Sequence, residues 1–146
     1  MIGIEHLGQI EYIEEGDQLT ASGRLYASHI WTTDNDRMVK LAVRAVKDNN
    51  LPSAFVRNVA RPGAHGRSQG RWFGMAKSAP SLGIPGFAMM GFMGAYWGTS
   101  SGVDRFDARL FRHQVATLVQ LTGELMIADL AEFSSAGKLN GQHVGQ

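Results

Sequence analysis

From Ala79 to Val103 the sequence carries no charge, reading APSLGIPGFAMMGFMGAYWGTSSGV. No other stretch limits the fold so strongly. Such a segment cannot be a solvated surface element, so it must pack against protein or lipid. Its small residues Ala88, Gly91, Ala95, Gly98 and Gly102 recur at intervals of three and four, and Gly94 with Gly98 forms a GxxxG pair. On a helix these positions make one narrow stripe, along which another helix can approach to backbone contact. Met89, Met90, Phe92, Met93, Tyr96 and Trp97 fill the other faces. Each glycine costs a solvated helix roughly 1 kcal/mol relative to alanine, so the helix needs close neighbours. The length suffices for a bilayer, which takes ~20 apolar residues. Leu, Ile and Val are few, however, and the reading favours a packed protein segment over a membrane contact.

A basic loop precedes this segment. Between Asp48 and Asp104 there is no acid, while Arg57, Arg61, Arg67, Arg71 and Lys77 are all positive. Residues 1–48 carry net −3 and residues 104–146 net −1, within a total of +1 over 146 residues. Residues 57–78 are rich in Gly, Arg and Ser and show no apolar period, which predicts an extended loop or arm. With Trp72 beside Arg71, the loop has the chemistry to track phosphates and stack on bases. It equally suits an acidic partner surface or a lipid headgroup layer.

The rest of the chain has simpler patterns. Residues 2–14 and 18–31 alternate in part and flank Glu14-Glu15-Gly16-Asp17, which predicts an N-terminal β-hairpin. Gly8 and Gly23 are candidates for bulges. A short helix follows, capped by Thr33 or Asp34, with Met38, Leu41, Ala42, Ala45 and Val46 on one face and Arg37, Lys40, Arg44 and Lys47 on the other. It stops at Asp48-Asn49-Asn50. Ala54, Phe55, Val56 and Val59 suggest a short strand or helical turn. The C-terminal third predicts a long amphipathic helix over 103–134. Leu110, Phe111, Val115, Leu118, Val119, Leu121, Leu125 and Met126 cover about half its circumference. At 1.5 Å per residue that helix is ~48 Å long, too long for a compact domain with a radius of gyration of ~15 Å. It must break near Gly123 or project. The expected class is a single α+β domain: hairpin, short helix, basic loop, Gly/Met-rich segment, long helix.

No catalytic or metal motif stands out. His6, His29 and Glu5 have zinc-ligand chemistry but not the spacing that preorganises a site. Asp104 and Asp107 read as acids at a helix start rather than as a catalytic pair. Gly63-Ala64-His65-Gly66 lacks the Lys-Ser/Thr of a phosphate loop. There is no cysteine. No catalytic residue, metal or cofactor is therefore expected. The glutamates near the N-terminus do not fit an export signal, leaving a cytoplasmic or virion-associated location as the expectation. The leading functional expectation is a non-enzymatic subunit of a homo-oligomeric assembly, such as a virion tail, connector or capsid-associated part or a secretion-machine component. Alternatives are a nucleic-acid-binding module using the basic loop, a membrane-contacting protein, and a small enzyme drawing on His29, Asp104 or His113. Ala88, Gly91, Gly94, Ala95, Gly98 and Gly102 are the expected packing surface. Arg57, Arg61, Arg67, Arg71, Lys77 and Trp72 are the expected partner contacts.

Overall fold

The computed structural model describes residues 1–59, 84–91, 105–133 and 142–144. These form an α+β fold. The strands are β1 (Ile2–Glu5), β2 (Ile10–Glu15), β3 (Gln18–Leu25), β4 (Ser28–Thr33), β5 (Ala54–Val59), β6 (Phe87–Gly91) and β7 (Gln142–Val144). The helices are α1 (Asp36–Asp48) and α2 (Ala108–Ile127), followed by a 3-10 turn at Leu130–Phe133. A mixed sheet has the order β1-β6-β4-β5-β7, and β2 and β3 pair separately.

The expected hairpin is cut down. Only β2 and β3 pair, around Gly16 at φ 64. His6 at φ 50 and Gly8 at φ 74 turn the chain between β1 and β2, and β1 leaves to run parallel to β6. β4 likewise joins the main sheet, antiparallel to β6 and parallel to β5. The reason lies in the side chains. Ile30 and Trp31 on β4 are buried on opposite faces of the sheet, which a two-stranded ribbon cannot provide. Within the hairpin the register slips between Ile10 and Tyr12, and Gly23 at φ 78 lies in the longer strand.

α1 joins the parallel strands β4 and β5 and buries the expected face, with Val39 added. Its cap is Asn35 rather than Thr33 or Asp34. Asn35 Oδ1 accepts from the Arg37 and Met38 backbone N–H groups at 2.9 and 3.2 Å. Thr33 is still strand, paired with Val59, so the helix cannot begin there.

The uncharged segment departs most from expectation. Phe87–Gly91 is a strand, buried along its whole length between β1 and β4. The helical stripe is therefore not formed at Ala88 and Gly91. Three residues apart on a strand, they face opposite sides of the sheet. Gly94, Ala95, Gly98 and Gly102 lie outside the described residues, as do Arg61, Arg67, Arg71, Trp72 and Lys77. Gly91 does require its missing side chain, because a Cβ there would collide with the His6 carbonyl oxygen.

The long helix is also shorter than predicted. α2 has 20 residues, or about 30 Å at 1.5 Å per residue. It is capped by Asp107, whose Oδ1 accepts from the Leu110 N–H at 2.7 Å. It runs through Gly123 and ends where Ala128 turns extended, at ψ 147. α1 and α2 lie side by side on one face of the sheet. Asn49 Nδ2 donates to Gln120 Oε1 at 2.6 Å, Gln120 Nε2 donates to Asp48 Oδ2 at 2.8 Å, and Arg44 pairs with Glu124. No described helix is long and apolar enough to cross a membrane.

Gly91→Ala should force β1 and β6 apart and lower stability by ~1–3 kcal/mol in urea unfolding, whereas Met89→Leu, a volume-conserving change at a buried site, should cost under ~1.5 kcal/mol.

Candidate interface: an apolar groove between β1 and α2

The site begins with how α2 is turned. Gln114 is fully buried. Its Nε2 donates to Ser28 Oγ on β4 at 2.9 Å, and its Oε1 accepts from the Gly8 N–H at 2.6 Å. Thr117, one turn on, is buried too and satisfies its hydroxyl on the His113 carbonyl at 2.8 Å. With Gln114 and Thr117 inward, Leu110, Leu118 and Leu121 fill the core around them. At 100° per residue, Phe111, Val115, Val119, Thr122 and Met126 then fall on the flank of the helix.

That flank faces β1. The side chain of Ile4 shares the helix-side face of the sheet with Met89, its partner in register. Between Ile4 and α2 lies a groove of about 600 Å³. Leu7 and Leu118 line its inner part, and Phe111, Val115, Val119 and Met126 form the helix wall. None of its lining residues is charged. Val119 is 66% exposed, Met126 80% and Ile4 55%. At the groove's start the rings of Phe106 and Phe111 meet at 5.1 Å, tilted by 54°. Gly8, at φ 74, leaves the space that Phe106 occupies.

The half-circumference apolar arc of the sequence reading is thus divided. One part enters the core and the other meets solvent, with Phe111, Val119 and Met126 outside. The clue was present in Gln114 and Thr117, three residues apart inside the apolar arc.

The opposite face of the sheet carries a different cluster. The rings of His29 and Trp31 stack at 5.4 Å, those of His29 and Phe55 at 5.1 Å, and the Arg57 guanidinium lies 5.4 Å over Phe55. Of the expected basic contacts, Arg57 is the one inside the described residues, exposed on β5. Burial, and then the Arg57 charge, push the His29 imidazole below its usual 6.5.

The residues named for catalysis are not brought together. His29 faces away from the helices, while His113 Nδ1 meets the Asn49 carbonyl at 2.8 Å in the α1–α2 joint. Asp107 is a helix cap, and Asp104 lies outside the described residues. Among the described residues no three of His, Asp and Glu are placed to hold a metal ion. Sequence reasoning missed one buried polar pair, Asn58 Nδ2 donating to Asp34 Oδ1 at 3.2 Å at the carboxyl ends of the parallel strands. Comparison with protein-family models, curated proteins and solved structures finds no match for this chain.

The low His29 pKa has a definite sign. Below pH 6.5 the unfolded imidazole takes up a proton that the folded one resists, so stability is full above 6.5 and falls as the pH drops through the folded value. Urea unfolding between pH 7.5 and 5 should show this loss in the wild type and a flatter profile in His29→Gln.

Proposed function

We propose that the protein is a structural subunit that associates with copies of itself through the groove between β1 and α2. The observation that carries this reading is the exposed apolar flank of α2. Phe111, Val115, Val119, Thr122 and Met126 line the groove and recur every three or four residues, as along one side of a helix–helix seam. A seam needs a second apolar surface, and among the described residues the helix layer of this sheet ends at α2. Another copy carries the same uncharged surface, and surfaces that match themselves are how two-fold oligomers form. The expectation of a virion or secretion-machine part belongs to this proposal, and the geometry bears on its self-association.

Light scattering on the eluting peak should give a mass above 15.9 kDa at tens of micromolar. Val119→Lys and Met126→Lys should shift the protein to monomer while changing its unfolding free energy by less than ~0.5 kcal/mol, since both positions are exposed. A wild type that stays monomeric at high concentration removes the reading.

A second reading rests on Arg57. Its guanidinium ends a row of stacked rings and opens the acid-free basic stretch, a combination that suits single-stranded nucleic acid. Binding of labelled oligonucleotides should then weaken steeply with salt, and Arg57→Ala should lower affinity roughly 3–10-fold. Absent or salt-independent binding excludes it.

A further inference from the structure

We infer that two copies meet strand to strand, the β1 edges pairing antiparallel so that the two sheets become one and the two α2 flanks close over the seam. This deepens the groove reading and rests on it. The inference comes from where the backbone groups of β1 point. Among the described strands β1 lies at the edge of the sheet, paired with β6 on one side. In a parallel ladder, one residue of each registered pair bonds to the two neighbours of the other. Ile2 is registered with Phe87, and the Phe87 N–H donates to the Met1 carbonyl at 3.0 Å. The inward positions are therefore Met1, Gly3 and Glu5, and the N–H and C=O groups of Ile2 and Ile4 point away from β6. The side chains of the same two residues lie on the helix-side face of the sheet, over the groove.

An edge of this kind is normally blunted by a lysine, a proline or a bulge. β1 reads IGIE and is regularly paired along its length. The outward groups form an antiparallel ladder with a second β1 when Ile2 of one copy lies opposite Ile4 of the other. That arrangement is symmetric about Gly3, as a two-fold axis demands. It also carries the α2 flank of each copy to the same side of the joined sheet.

The exposed surface is of the right size. Taking about 200 Å² for a free large side chain, Ile2, Ile4, Phe111, Val119 and Met126 leave roughly 500 Å² of apolar area open. A stable interface buries ~800 Å² per partner, of which ~56–65% is apolar. The absence of charge from the groove lining disfavours a charged partner segment and leaves a second copy as the matching occupant.

Two measurements test the strand pairing apart from the association itself. The first is amide exchange by NMR at dilute and at associating concentrations. The Ile2 and Ile4 N–H groups should gain protection on the order of 100-fold on association, as paired strand amides do. The second uses the absence of native cysteine. An Ile2→Cys/Ile4→Cys variant under mild oxidation should form a disulfide-linked dimer, because directly opposed strand residues lie ~5.5 Å apart at Cα, within disulfide reach. Adding Val119→Lys should abolish the cross-link. Association with unprotected Ile2 and Ile4 amides and no cross-link would overturn the strand pairing and leave the groove reading standing. A protein that is monomeric throughout would overturn both.

Discussion

One buried amide sets the rotation of α2. Gln114 reaches the Ser28 hydroxyl on β4 with its nitrogen and the Gly8 N–H with its oxygen, so it ties the helix to the middle of the sheet and to the turn after β1. A buried amide must find partners for both ends, and these two partners lie in one direction. The helix has no other rotation that satisfies them. Leu110, Leu118 and Leu121 follow Gln114 inward, and the apolar residues a quarter turn away are left on the flank. The groove thus follows from a polar requirement in the core.

The same constraint explains why the apolar arc of α2 is so wide. A helix that served one core would need a stripe of roughly 100°, and α1 has one, with lysines and arginines on its far side. α2 carries about twice that arc. The two described helices do not cover the helix-side face out to β1, and Ile2 and Ile4 remain exposed at that end. An uncovered apolar flank beside an uncovered apolar strand defines one continuous surface rather than two separate defects.

What the sequence reveals depends on how many faces each element buries. α1 buries one, so its 3.6-residue period is plain and marks every buried position but Val39. β6 buries both, and Phe87–Gly91 therefore lacks the alternation that marks a strand. Its small residues happened to fall at helical intervals, and the glycine that looked like a helix-packing position is instead where β6 passes the His6 carbonyl. For α2 the periodicity located the helix, but it could not show which part of a broad arc turns inward. That is fixed by Gln114, Ser28 and Gly8, far apart in the chain. The groove was legible as an excess of apolar residues and not as a place.

The topology also orders events in time. β4, α1 and β5 are contiguous in sequence and can assemble locally, whereas β1 has to wait for β6 before it can dock. Pairings between such distant segments come late, because the loop must close before any contact rewards it. The β1 wall of the groove is therefore absent until β6 is in place, and the α2 wall lies later still in the sequence. Anything that contacts both walls at once distinguishes the folded chain from a partly folded one.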